Sequence, residues 1–292
     1  MTEPVEASAP LMVLDAPEVL PAAFLPYGPA VIANYFQKGG TGKTEVTRAM
    51  IEQAAKYGLP VVGIDLDPHA NLTAGLGIDL VADEANLANL LTGRWRGSIK
   101  ELLVKRSDNL FIVPSNIDMP LVEQDLQSVK FREERLRTAI QPLLDEGFLV
   151  VLDCPNNPGL LNDNALIAVS KEKGALDDVR RGLVMVVQLE GSSVHSLELL
   201  LDQVDSLNDN TRYEARLLGW VANLVEGNTR IAKKTRDSLG ELPLHALGEI
   251  PKRTHAKDAW DAGQFVGEYD PKSDLLPLHR QICWNILRTL RA

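Results

Sequence analysis

From residue 30 onward the chain alternates short apolar runs with amphipathic stretches. The runs span 30–36, 61–66, 110–114, 148–153, 183–188, 217–223 and 244–250. Continuous apolar runs of this length fit strands buried on both faces, as in a parallel sheet. Between them, segments 43–57, 132–145, 193–207 and 229–239 repeat apolar residues every three or four positions, the period of a half-buried helix. The alternation predicts an α/β fold, a doubly wound and mostly parallel sheet of about seven or eight strands with helices on both faces. Ligands in such sheets bind beyond the carboxyl ends of the strands. Near the end of the chain, Leu278, Ile282, Ile286 and Leu290 recur every four residues and predict a helix packed on the core. No internal repeat is present.

Residues 1–29 break this pattern. They hold six prolines and four acids but no Lys or Arg. That composition predicts a disordered acidic tail, followed by one nucleotide-binding domain over 30–292. The tail's apolar patch, Leu11-Met12-Val13-Leu14, is expected to pack on its own domain or to have no role, rather than to dock elsewhere. With no basic residue before Lys38, the segment does not read as a signal peptide. No apolar run approaches the roughly 20 residues needed to span a bilayer. Cys154 and Cys283 form no CxxC pair, which excludes a disulfide framework and fits a reducing cytoplasm. The net charge of −10 excludes a uniformly basic nucleic-acid binder, so any DNA contact must be local.

Directly after the first predicted strand comes Lys38-Gly39-Gly40-Thr41-Gly42-Lys43-Thr44. A strand, a glycine-rich turn and a helix bring backbone N–H groups around an anion at the helix N-terminus. Gly39, Gly40 and Gly42 let the backbone approach a phosphate closely. Lys43 is expected to neutralise the β and γ phosphates, and Thr44 to offer its hydroxyl to Mg2+. The common pattern G-x-x-x-x-G-K-[ST] asks for glycine at position 37, where this chain has Gln37. It carries a second lysine, Lys38, at the front edge of the loop instead.

Two further strands end in acids. Residues 61–68 read Val-Val-Gly-Ile-Asp-Leu-Asp-Pro, so Asp65 and Asp67 leave a buried strand with side chains on the same side. Residues 148–153 end on Asp153, as expected of an acid linked to Mg2+ in a nucleotidase. Phosphoryl transfer needs a metal, a positive clamp and a group that orients water, and the chain has candidates for each.

These residues carry a resemblance. Asn34-Tyr35-Phe36-Gln37-Lys38-Gly39-Gly40-Thr41-Gly42-Lys43-Thr44, Asp65-Leu66-Asp67-Pro68-His69-Ala70-Asn71-Leu72-Thr73 and Asp153-Cys154-Pro155 are similar to the ParA/MinD family of deviant Walker A ATPases, and most to its ParA branch. The resemblance covers residues 30 to about 290. It implies ATP and Mg2+ as cofactors and a homodimer that sandwiches two ATP molecules. Lys38 would then cross to the partner's phosphates, Asp67 would orient the attacking water, and Asp65 and Asp153 would hold the Mg2+ shell. Asn223 and Pro251 fall where relatives contact the adenine, and no Asn-Lys-x-Asp guanine motif is present. The family's usual task implies non-specific DNA binding, a ParB-like adaptor that stimulates slow hydrolysis, and a cytoplasmic, nucleoid-associated protein. MinD-like membrane regulation and positioning of a protein cargo are the alternatives.

The chain departs from the family at several points. Glu45 replaces a hydroxyl residue after Thr44, where its backbone N–H should still reach the α phosphate but its carboxylate should repel it. Asn156 replaces a second proline after the strand-end acid. Residues 171–181 read as an inserted, solvated loop. Basic charge shifts toward the C-terminal part: residues 220–292 hold 11 Lys and Arg against 9 Asp and Glu, the rest 19 against 31. Arg230, Lys233, Lys234, Arg236, Lys252, Arg253 and Lys257 are the expected DNA contacts, because such patches grip phosphate backbones without reading sequence. The five histidines show no ligand spacing, and His69 is expected to be a turn residue.

Overall fold

The structure, a computed structural model, describes residues 16–24, 27–80, 83–176, 178–227 and 229–292. All seven apolar runs become strands of one sheet. In chain order the strands are β1 (Ala30–Tyr35), β2 (Val61–Asp65), β3 (Val104–Ser107), β4 (Leu110–Val113), β5 (Leu149–Asp153), β6 (Ser170–Glu172), β7 (Arg180–Val187), β8 (Tyr213–Ala215), β9 (Leu217–Val225) and β10 (Ala246–Pro251). The main sheet has eight strands in the order β10-β9-β7-β1-β5-β2-β4-β3. Every neighbouring pair in it is parallel except β3–β4. β6 and β8 form a separate antiparallel ribbon.

The central strands β1, β2 and β5 are buried along their whole length. Alternate residues face opposite layers. Val31, Ala33, Val62, Ile64, Val150 and Leu152 join one apolar core, whereas Ala30, Ile32, Val61, Leu149 and Val151 join the other. Parallel register aligns Asn34 with Asp153, and Asp153 with Asp65. Three polar side chains thus stand abreast where β1, β5 and β2 end.

The sequence pattern and the structure part company in four places. β3 is mostly exposed and carried no apolar signal. The helix expected over 132–145 is three short pieces, Arg132–Glu134, Arg135–Ala139 and Gln141–Asp145. Pro142 stands at the start of the last piece and lacks the N–H that would continue the preceding turn. The expected loop over 171–181 begins inside β6, whose partner β8 lies about forty residues later and left no local signal.

The fourth difference is the tail. Residues 16–24 and 27–29 run along the C-terminal helix Leu275–Arg291 instead of forming part of a free tail. The Ala16 N–H donates to Gln281 Oε1 at 2.8 Å, and the Tyr27 hydroxyl donates to the Leu287 carbonyl at 2.9 Å. The Phe24 ring lies 4.8 Å from Trp284. The opposite face of that helix buries Leu275, Ile282, Cys283, Ile286, Leu287 and Leu290, the core-packing role its spacing predicted. The patch Leu11–Leu14 lies outside the described residues. No helix among the described residues is long and apolar enough to cross a membrane.

Candidate nucleotide site

The turn after β1 leads into the helix Lys43–Lys56. Gly40 and Gly42 have φ of 76° and 81°, a left-handed backbone that only glycine adopts cheaply. A Cβ on Gly42 would stand 1.9 Å from Asn223 Nδ2, whereas nothing lies within 4 Å of that position at Gly40. The loop is therefore closed by Asn223 on one side and open on the other. Gly42 caps the helix and no described side chain fills the cap, which leaves the first-turn N–H groups for an anion.

The Lys43 ammonium lies over the loop and is almost fully buried. It donates to the carbonyls of Phe36 at 3.0 Å and Lys38 at 3.3 Å, and to Asn156 Oδ1 at 2.6 Å. Burial lowers its pKa from the ordinary lysine value, and the charges of Asp153 and Asp67 oppose that. Beneath it, Asp153 accepts from the hydroxyls of Thr44 at 2.8 Å and Thr47 at 3.1 Å. Asn34 in turn donates to Thr47 Oγ1 at 2.9 Å, so β1, β5 and the helix are locked together.

Asp65 is committed differently. Its Oδ2 accepts from the Thr73 N–H at 2.8 Å and hydroxyl at 2.6 Å, and its Oδ1 accepts from the Asp67 N–H. It braces the turn between β2 and the next helix. Of the predicted metal set, Thr44 and Asp153 are hydrogen-bonded, and Asp65 stands level with Asp153 on the neighbouring strand. Burial raises the pKa of both carboxyls, and the charge of Asp65 raises Asp153 further. A cation beside Asp153 would relieve that cost. The hydroxyl and carboxylate oxygens of Thr44 and Asp153 suit Mg2+, which binds few protein ligands and otherwise takes water and phosphate oxygen. No group of three or more His, Cys, Asp or Glu among the described residues could hold a metal alone.

Asp67 is buried at the turn after β2. Its Oδ1 accepts the His69 N–H at 2.9 Å and faces His69 Nδ1 at 2.9 Å, so His69 is the turn residue expected and its ring also meets Asp67. On the other side of the loop, Asn223 Nδ2 donates to the carbonyls of Thr41 at 3.1 Å and Gly42 at 3.2 Å. Asn223 Oδ1 and Thr41 Oγ1 are buried without partners among the described residues. The spare Asn223 acceptor fits a purine amino group. Pro251 ends β10 level with Val225, beside that strand end.

Lys38 stands at the rim. Its ammonium is 2.6 Å from Glu190 Oε2 and donates to Ser192 Oγ at 2.9 Å. The pair is open to solvent, with side chains 27% and 55% exposed. Gln188 Nε2 donates to the Gly40 carbonyl at 3.1 Å, and Gln37 Nε2 to Gln203 Oε1 at 2.5 Å. The loop is thus tied to the helix Gly191–Asn210 through Ser192, a connection across 154 residues that no local pattern in the sequence announced.

Glu45 points away from the loop. Its carboxylate lies 3.6 Å from the Arg48 guanidinium, with side chains 18% and 2% exposed. Arg48 also donates to the Gln264 carbonyl. Burial pushes the Glu45 carboxyl up from 4.5 to about 7, despite the opposing charge of Arg48. A raised carboxyl costs stability only when ionised: nothing below pH 4.5, and the full amount above pH 7. Glu45→Gln is therefore expected to be about 2–3 kcal/mol more stable than the parent at pH 8, with the gap closing to about 1 kcal/mol near pH 5. Thermal unfolding of both proteins across that range checks it; a gap independent of pH would refute the buried-carboxylate account.

The seven basic residues do not form one free patch. Arg236 is held by Glu249 through two bonds of 2.6 and 2.9 Å. Lys252 pairs with Glu226 at 2.5 Å and Arg253 with Asp274 at 2.9 Å. Arg230, Lys233, Lys234 and Lys257 are exposed and have no acidic partner among the described residues.

A parallel sheet with a glycine loop, a buried lysine over it and an acid at the next strand end defines a P-loop nucleotidase. An AAA-domain family model matches residues 29–216. The cell division protein PomZ of Myxococcus xanthus is 31% identical over 239 residues, covering 81% of this chain and 71% of PomZ. The sporulation initiation inhibitor Soj of Bacillus subtilis is 26% identical over 83% of this chain and 92% of its own length. Among solved structures, an ATP complex of a McdA variant from Cyanothece superposes with a TM-score of 0.75 at 17% identity, covering 89% of this chain and 96% of that one. The cell division ATPase MinD of Pyrococcus furiosus gives 0.68 at 21% identity, covering 89% and 98%. The chain belongs to the ParA/MinD family of P-loop ATPases.

Proposed function

We propose that this protein is a ParA-type partition ATPase that dimerises around Mg2+-ATP, binds DNA without sequence preference as a dimer, and is reset by hydrolysis. The observation that carries the proposal is the division of labour between two lysines. Lys43 is buried over the loop with its protons directed inward. Lys38 stands at the rim in a solvent-exposed pair with Glu190. Exposed pairs contribute only about 0–1 kcal/mol, so Lys38 is released at little cost to reach phosphates held by a second copy. Bound Mg2+ supplies charge neutralisation at the β and γ phosphates. Thr44 and Asp153 would hold it, Lys43 would clamp the phosphates, Asn223 would receive the base, and Asp67 would align the attacking water.

A dimer that contacts ATP from both sides is stabilised by ATP and lost on hydrolysis. Dimerisation doubles the exposed basic surface of Arg230, Lys233, Lys234 and Lys257, so DNA affinity rises with ATP by avidity. A ParB-like adaptor would then trigger hydrolysis on a nucleoid-bound, cytoplasmic protein. Similarity to a cell division protein, PomZ, leaves a positioning role other than DNA partition as the second reading. MinD-like membrane attachment is less favoured, because the apolar face of the C-terminal helix is already in the core.

Gel retardation tests the DNA step. With Mg2+-ATP at low salt the protein is expected to retard duplexes of unrelated sequence. Retardation should weaken steeply as salt rises, and should be lost when Arg230, Lys233 and Lys234 are changed to Ala together. Absence of retardation with ATP at low salt would sink the DNA-matrix reading.

A further inference from the structure

An ammonium has three protons. Those of Lys43 go to two backbone carbonyls, Phe36 and Lys38, and to one side chain, Asn156. A phosphate that takes a Lys43 proton must displace one of these acceptors. The carbonyls belong to the residue just after β1 and to the loop itself, and are fixed by the fold. Asn156 is half-buried in the run Pro155-Asn156-Asn157-Pro158-Gly159, and its side chain can rotate away.

The backbone beneath Asn156 is held. Asn162 Nδ2 donates to the Asn157 carbonyl at 2.5 Å, and the Leu161 N–H donates to Glu123 Oε1 at 3.3 Å. Asn156 Cγ also lies 3.8 Å from where a Gly39 Cβ would be, so the side chain spans the gap between the strand-end turn and the front of the loop. We propose that Asn156 and the phosphates of the nucleotide compete for the same Lys43 proton, and that the displaced Asn156 amide then donates to the terminal phosphate of ATP. Asn156 is thereby the residue that distinguishes ATP from ADP. The inference rests on the ATPase reading of the site.

The chemistry follows from the side chain. The carboxamide has an acceptor oxygen, which suits Lys43, and two N–H donors, which suit a phosphate. Both nucleotides lose the bond between Asn156 and Lys43 on binding. Only a nucleotide with a third phosphate regains a bond to the amide. A proline or alanine at this position could neither compete nor donate.

The test is a binding titration of the full-length parent, Asn156→Ala and Asn156→Asp with Mg2+-ADP and with Mg2+ and a non-hydrolysable ATP analogue. Asn156→Ala should bind ADP about tenfold tighter, the worth of one charge-assisted hydrogen bond, while the analogue changes much less. Its preference for the analogue over ADP should therefore fall by about tenfold. Asn156→Asp should pair more firmly with Lys43 and repel the terminal phosphate, weakening the analogue more than ADP. Unchanged constants in Asn156→Ala, or equal tightening of both ligands, would overturn the proposal while leaving the ATPase reading intact. A parent that binds neither nucleotide would overturn that reading and the inference with it.

Discussion

An Asp67→Ala variant is expected to hydrolyse ATP at least about 100-fold more slowly than the parent while binding it equally well. Asp67 is buried, and its Oδ1 is oriented by the His69 N–H at 2.9 Å. Its own N–H is fixed to Asp65, which Thr73 anchors from the other side. The carboxylate is thus held in one place before any substrate arrives, as a group that positions water must be. Lys43, Thr44 and Asp153 make no hydrogen bond to it, so truncation should spare the binding contacts. With turnover slowed, the dimer should accumulate and DNA retardation should persist after the parent has exhausted its ATP. Turnover assays with the two proteins side by side decide the matter. A rate equal to the parent's would remove Asp67 from the reaction.

Lys38→Ala is expected to separate binding from assembly. The Lys38 side chain makes no contact inside the loop; it touches Glu190 and Ser192 at the rim. Its loss should change the affinity of one subunit for ATP by less than about threefold, because an exposed ion pair contributes little. The same change should abolish ATP-dependent dimers, since the partner's phosphates lose a charge-assisted contact on each side of a symmetric interface. Nucleotide binding followed by fluorescence, with sedimentation of the same samples, separates the two effects. Normal dimerisation of the variant would refute the crossing role.

The central features of the fold were legible because buried parallel strands leave unbroken apolar runs. β1, β2 and β5 are such runs, and the loop and acids follow their ends directly in sequence. The misses have a common cause. β3 is exposed, β6 depends on a distant partner, and residues 16–24 and 27–29 pack through Phe24 and Tyr27 against the C-terminal helix. None of those contacts is local, so composition alone misled. The same holds within the site. Sequence marked Asp65 as a strand-end acid and could not foresee the two bonds from Thr73, eight residues later. It marked Asn156 as a departure and could not foresee the bond to Lys43. It grouped seven basic residues, three of which spend their charge on Glu249, Glu226 and Asp274.

The account stands on ATP acting as the joint between two copies. Light-scattering mass of the parent, with and without Mg2+-ATP, tests that most directly. The expected result is 32.0 kDa without nucleotide and twice that with it, with the Asp67→Ala variant holding the larger mass longest. A mass that stays at 32.0 kDa under saturating Mg2+-ATP would contradict it.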